Sequence, residues 1–370
     1  MDFSFTEAIE QLEGGNLSTI ANQARTPDSY LFSSILPERN VQDYKVTTGD
    51  MEISATMAGL VAESTEYPEG GHVKLSTFLE ETAKIANRAT LSEGNLRKLQ
   101  QIVIQQLVNG NPTTDFLVSE VLNFFDKVIL QGHYDTFEWL RAQALVNGEI
   151  NWKFGGKEVK IDFGVPSGNF IPKATGTEAY DKASSTFWTD VRTLQEKLNY
   201  NVSAMIIHID TALAIIANDA NKIEVLSDEN GIFRLRRLVG DNERASGDSR
   251  DSVSLVTYSM EGEMINPADQ QTTVKVPFMP KKKILGLGRG TRSSYRVGEG
   301  STPDPETDLE LGYTHIAPTV EGGGTAGRWG RVYTPQTKPW QLVGEGVTNG
   351  LPVLENPNKV CVLETEIAGA

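Results

Sequence analysis

One cysteine in 370 residues leaves no disulfide framework and no cysteine-rich zinc site. Four scattered histidines (His72, His133, His208 and His315) are poor material for a histidine metal cage. No apolar run approaches the roughly 18 residues that a membrane helix needs. The N-terminal MDFSFTEAIEQLEGG has neither the basic nor the apolar region of a signal peptide, so a soluble chain made in a reducing compartment is expected. Positive charge is also scarce. Against 49 Asp and Glu stand 34 Lys and Arg, and a net charge of −15 argues against a general grip on a phosphate backbone. Motifs with chemistry are missing too: there is no G-x-x-x-x-G-K-[ST], no H-E-x-x-H and no G-x-S-x-G. Gly286-Leu287-Gly288-Arg289-Gly290 lacks the apolar helix that a dinucleotide fingerprint needs, and reads as a strand-end turn.

The remaining candidates read as structural. His208-Ile209-Asp210 lies where a buried strand meets a helix, with Asp210 placed as N-cap. Cys361 alternates with Val360 and Val362 as a small core residue. Asp241 to Asp251 lacks calcium-loop spacing and reads as a solvated loop, and Lys281-Lys282-Lys283 as a solvated strand end. With no catalytic constellation, no cofactor and no metal is expected, and the chain is not expected to be an enzyme.

What is present is a globular composition, 39% hydrophobic and 22% charged, in a length that suggests two domains or one with long insertions. The first forty residues read as an extended arm with a short helix near Phe5 to Leu12. From Val41 to Val73, Thr, Val and Ile alternate into a two-stranded excursion that cannot make a core alone. Thr77-Phe78-Leu79-Glu80 fits a capping box, and Leu79, Ala83 and Ala86 follow at helical spacing, so a helix is expected there. A second helix runs from Leu96 to Val108. A third, carrying Leu117, Val121, Phe124, Val128, Phe137, Leu140 and Ala144, is interrupted near Gly132 and forms a strut about 45 Å long. The period then changes to two, in a hairpin turned at Gly155-Gly156. Helices at Thr186–Leu198 and Thr211–Asn218 alternate with strands at 205–207, 222–225, 232–236, 253–258, 274–276 and 283–287. Gly288 to Gly350 reads as loop-rich, and Val360 to Glu364 as a closing strand.

In this order the segments ALVNGEINWKFGGKEVKIDFGVP, VSAMIIHIDTALAII, SLVTYSMEGE, VPFMPKKKILGLG and GLPVLENPNKVCVLE resemble a tailed-bacteriophage major capsid protein of the Hong Kong 97-type fold, closest to its lambda-like subgroup. The Gly-rich stretch between Gly286 and Trp340 is longer than the pattern needs. The resemblance implies an α+β fold: an N-terminal arm over 1–40, an extended β-hairpin loop over 41–75, a peripheral domain with a long spine helix over 76–200, an axial domain over 201–340 and a closing strand segment over 341–370. It implies a structural protein of the virion that assembles in the bacterial host cytoplasm into pentamers and hexamers around double-stranded DNA. Scaffolding, portal and decoration proteins are then possible partners, and no membrane is involved. Some relatives cross-link a loop lysine to a neighbour's asparagine; Lys45, Lys74 and Asn356 are formally available, but the shell is expected to lack such links. The alternatives are another phage or surface structural protein, or a nucleotide-binding enzyme.

An acidic subunit that packs edge to edge meets like charges at its contacts, so basic residues are expected to be recruited there. The candidates are Arg88, Arg97 and Lys98, or Arg234, Arg236 and Arg237. Arg234 and Arg236 are two apart on a predicted strand and share a face.

Overall fold

The computed structural model describes residues 26–54, 72–108, 113–154, 157–228, 231–240, 244–265, 272–289, 311–335 and 341–367. The helix expected near Phe5 to Leu12 lies outside them. Helix α1 (Leu31–Ile35) leads into strand β1 (Glu38–Asn40). Strands β2 (Lys45–Ser54) and β3 (His72–Glu81) pair antiparallel along their whole length, from Lys45 opposite Glu81 to Ser54 opposite His72.

The helix expected from Thr77 does not form. Thr77 to Glu80 lie in β3, and β4 (Ala83–Leu91) follows at once. Leu79, Ala83 and Ala86 fit a helical spacing, but Ile85, Asn87, Ala89 and Leu91 are half-buried while their neighbours are exposed, which is a period of two. Nine ladder positions against a later strand decide between the two readings, as tertiary pairing commonly does.

Helices α2 (Glu93–Val108), α3 (Thr113–Phe124) and α4 (Gln131–Asn147) come next, with a π-helical segment, Phe125–Leu130, joining the last two. The interruption expected near Gly132 is thus a widened turn just before it. Gly148, at φ 67°, ends the long helix. Strands β5 (Glu149–Phe154) and β6 (Lys157–Asp162) form the expected hairpin. Helix α5 (Phe187–Lys197), strand β7 (Val202–Ile207) and helix α6 (Ile209–Ile216) follow. The N-cap of α6 is His208, whose Nδ1 accepts from the Asp210 amide, so Asp210 is not the cap. Then come β8 (Ile223–Ser227), β9 (Ile232–Val239), β10 (Arg244–Ala245), β11 (Ser252–Thr257), β12 (Glu261–Ile265), β13 (Thr273–Pro277) and β14 (Lys283–Gly288). The expected loop-rich stretch contains β15 (Gly312–Ala317), β16 (Trp329–Tyr333) and most of the 13-residue β17 (Leu342–Leu354), before β18 (Val360–Glu364).

These strands make two principal sheets. In the five-stranded one, β15 and β16 pair successive stretches of one edge of β17, β4 pairs its other edge, and β1 joins β15 in parallel. Its glycines explain why β16 and β17 looked like loops. A Cβ on Gly330 would lie 2.2 Å from the Phe125 ring, one on Gly346 2.3 Å from Ile129, and one on Gly350 2.7 Å from Phe137. The glycines form a trough in which the long helix seats its own large side chains.

The seven-stranded sheet runs β10-β9-β11-β7-β14-β18, with β8 on β9. One face carries Met205, Ile207, Leu235, Leu255, Ile284 and Leu363 into a core with Phe187, Val191 and Leu194 of α5 and Ile215 of α6. A Cβ on Gly286 would meet Leu194 at 2.6 Å, so this glycine lets α5 approach the sheet. On the other face Ile206, Leu285, Leu287, Val360 and Val362 join the core around the long helix. That cover stops short of the far strands. There the same face carries Arg234 and Arg236 beside exposed Ser254 and Ser252.

Candidate assembly surfaces

A buried ionic junction ties three distant parts of the chain together. Glu38, on β1, accepts from Arg328 at 2.6 Å on each carboxylate oxygen and from Arg141 of α4 at 3.0 Å. Arg141 also donates to Thr314 of β15 at 2.8 Å and lies 3.4 Å from Glu138, one helical turn back. Glu138 accepts from the Phe32 amide at 2.8 Å and from the Tyr258 hydroxyl at 2.7 Å. Two carboxylates and two guanidiniums cancel, so the cluster is neutral as a whole. Burial pushes both carboxyls up; the charges of Arg328 and Arg141 outweigh this at Glu38 and hold it low, whereas Glu138 stays raised. Glu138 and Arg141 are fully buried, and an i,i+3 acid–base pair within an apolar helix face is the signal that sequence reading passed over.

Strand β4, which follows the β2–β3 hairpin, is fixed to the same helix by polar contacts. Asn87 of β4 donates to the carbonyls of Val128 and Ile129, at 3.2 and 3.1 Å, inside the π-helical segment. Its Oδ1 accepts from His133 Nε2 at 2.9 Å, and His133 Nδ1 accepts from Thr348 at 2.8 Å. Burial, reinforced by the charge of Arg328, pushes the His133 imidazole down to about 4. Gly132 makes room for this arrangement, since a Cβ there would lie 2.9 Å from Asn87 Nδ2.

The predicted contact residues separate into distinct places. Arg234 is exposed and Arg236 half-buried on the uncovered half of the seven-stranded sheet, and neither has an ion-pair partner among the described residues. Arg237 points to the opposite face, 3.9 Å from Asp251. Asp251 is 2% exposed and binds Arg192 at 2.6 Å, so the end of the expected solvated loop is an anchor. Arg88 lies on the other sheet, 3.8 Å from Glu345. Arg97 is paired within its own helix to Glu93 at 2.7 Å, and Lys98 beside it is exposed.

Beside Arg88 lies a surface that sequence reading did not identify. On the sheet face turned away from the long helix, Arg88, Glu345 and Arg331 stand opposite one another across β4, β17 and β16, and Ala86, Val347 and Trp329 form the adjacent row. Arg331 donates to Glu345 at 2.8 and 3.0 Å, and Tyr333 donates to the other carboxylate oxygen at 2.8 Å. These rows line an open cavity of about 380 Å³. Asp210 is half-exposed and paired with Lys281 at 3.0 Å. Among the described residues, no group of three or more His, Cys, Asp or Glu could hold a metal ion, and no helix is long and apolar enough to cross a membrane.

The family model described as phage major capsid protein E matches residues 16–296. Among solved structures, the chain is similar to the protein assigned as the capsid protein of an Escherichia coli CFT073 prophage, at 10% identity and a TM-score of 0.56, covering 99% of this chain and 100% of that one. It is also similar to a phage-related protein of Bordetella bronchiseptica RB50, at 12% identity and a TM-score of 0.46, covering 94% and 95%. A chain of mycobacterium phage Patience matches at 10% identity and a TM-score of 0.42, covering 99% and 89%. The first of these likenesses shows a fold shared from end to end. No curated protein is significantly similar in sequence.

Proposed function

The chain belongs to the phage major capsid protein E family and is a shell-forming subunit of the phage head, and from that premise we propose how its parts serve the shell. The five-stranded sheet, the long helix and the β5–β6 hairpin act as the peripheral domain, and the seven-stranded sheet acts as the axial domain. On this reading strands 312–354 serve the peripheral domain, because they pair with β4 and seat the long helix. The resemblance, by contrast, implies an axial domain over 201–340 and a closing segment over 341–370.

The observation that carries the reading, beyond family membership, is how much of the subunit is built to be completed by a neighbour. Strands β2 and β3 pair only with each other among the described residues. A two-stranded ribbon is marginal in water and needs an outside surface. The uncovered half of the seven-stranded sheet presents Arg234 and Arg236 in a chain of net charge −15. An Arg fork can take a neighbour's carboxylate through two parallel hydrogen bonds, which adds orientation to attraction. The subunit therefore acts by self-assembly into pentamers and hexamers, in the host cytoplasm, without catalysis. The acidic balance suits a wall that packaged DNA slides past instead of binding. Scaffolding, portal and decoration proteins are further partners on this reading.

Negative-stain microscopy of the chain expressed alone tests the proposal. Polyhedral shells or ring-shaped capsomers are the expected result; a dispersed monomer whose melting depends on a small ligand would overturn it. Excising the hairpin sharpens the test. The Thr82 amide donates to the Tyr44 carbonyl at 3.1 Å, so a short glycine linker closes the gap. The excised chain should stay soluble and folded yet form no shells.

A further inference from the structure

We infer that the rows Arg88–Glu345–Arg331 and Ala86–Val347–Trp329 are a docking platform for an acidic surface of a second copy of this chain. The inference rests on the shell-forming reading and adds a site and a chemistry to it. Cross-strand neighbours on a sheet are normally chosen for one another, and here the ionic row is only partly satisfied from within. Glu345 takes three hydrogen bonds, from both donors of Arg331 and from Tyr333. Arg88 approaches the same carboxylate only to 3.8 Å, beyond hydrogen-bond distance, and its side chain is 56% exposed. One guanidinium is therefore left facing an open cavity of about 380 Å³.

The surroundings favour protein over a small anion. Trp329 forms one wall, and Arg331 stacks over the Trp329 and Tyr333 rings at 5.5 and 4.4 Å. Tryptophan, tyrosine and arginine together are the composition of contact hot spots, and this chain has five tryptophans in all. Charge then selects the occupant. The platform with its flanking Lys84–Glu321 pair, at 2.5 Å, holds three cations and two carboxylates, a small positive excess on an otherwise acidic chain. Another copy of the same acidic chain is its natural complement. A segment carrying a carboxylate next to an apolar side chain would fill both rows at once, the acid on Arg88 and the apolar group against Trp329.

Hydroxyl-radical footprinting of Trp329, in shells and in unassembled subunits of the same preparation, tests this. Oxidation of Trp329 is expected to fall at least fivefold in shells made from this chain alone. Arg88→Glu should abolish that protection in whatever shells it forms, and Arg88→Lys should retain most of it. Equal oxidation in well-formed shells and free subunits would overturn the platform while leaving the shell-forming reading intact. Protection that appears only after a second protein is added would overturn the choice of occupant. A chain that makes neither shells nor capsomers would refute the shell-forming reading, and the platform with it.

Discussion

The two principal sheets solve the same problem with different means. The seven-stranded sheet is closed on one face by aliphatic and aromatic side chains from α5 and α6, a core without ion pairs or a glycine trough among the described residues. The five-stranded sheet is gathered from residues 38–40, 83–91, 312–317, 329–333 and 342–354, and is locked to the long helix by a glycine trough and buried ions. Apolar burial is non-directional and tolerates small adjustments. A trough and an ion cluster fix position and register, and they fail sharply when one part changes. The difference places orientation-setting contacts around the long helix and leaves the other sheet with half of one face free for partners.

The largest expected effect breaks the ion cluster. Arg141→Met removes the guanidinium that bridges Glu38, Glu138 and Thr314, and leaves buried carboxylate charge uncompensated. A loss of about 3–5 kcal/mol in denaturant unfolding is expected. A loss below about 1 kcal/mol would mean that the two sheets do not differ as described.

The trough comes next, and one pair of variants compares the sheets directly. In Gly346→Ala the new Cβ collides at 2.3 Å with Ile129 Cγ2, a stiff branched methyl. In Gly286→Ala it meets the tip of Leu194 at 2.6 Å, which can turn aside. Costs of about 3 and about 1 kcal/mol are expected, in that order. Equal costs would remove the distinction.

Acid should separate the regions as well. The His133 imidazole lies near 4 in the folded chain against 6.5 unfolded, so the folded state resists protonation. Its contribution is complete above pH 6.5 and is lost as the pH falls from there to about 4, by at most about 3 kcal/mol. His133→Gln should flatten that part of the stability–pH curve, measured by unfolding at pH 7 and pH 4.5. An unchanged slope would show that His133 titrates as if exposed.

The smallest effect on stability is expected on the open face. Reversing Arg234 and Arg236 to Glu should move the unfolding free energy of the subunit by less than about 0.5 kcal/mol, as for ordinary surface positions. The same double variant should slow shell assembly in low salt, followed by light scattering. Normal assembly would make these two arginines ordinary surface residues.

The legible parts of this molecule were those with local signals. The β5–β6 hairpin, helix α5, strands β7 to β9, β11 and the closing strand follow from alternation, turn residues and helical period. What escaped reading depended on partners far along the chain. The apolar spacing of β4 fits a helix as well as a strand until β17 lies beside it. Strands β16 and β17 read as loop in sequence because Gly330, Gly344, Gly346 and Gly350 weaken a strand in isolation and serve only once Phe125, Ile129 and Phe137 arrive. Among the candidate contacts, Arg234 and Arg236 stand together on an open face as period two requires, whereas Arg237 turns inward to Asp251, an anchor that nothing nearby in sequence announces. The row around Arg88 was half visible, for its partners Arg331 and Glu345 lie more than two hundred positions later.

The bond between Glu38 and Arg328 spans 290 positions of the chain. On a ribosome working at about 5–20 residues per second, the first partner emerges roughly 15–60 s before the second. For the later part of that interval the nascent chain holds its long helix with Arg141 but neither the trough strands nor Arg328, and so has no finished body to offer a neighbour. Closure of such distant pairs is also intrinsically slow, and refolding after dilution from denaturant should show it as a late phase that reports on β1 and β15. The topology thus works as a timer: a subunit becomes competent to meet its copies only after Arg328 and the trough strands have been made.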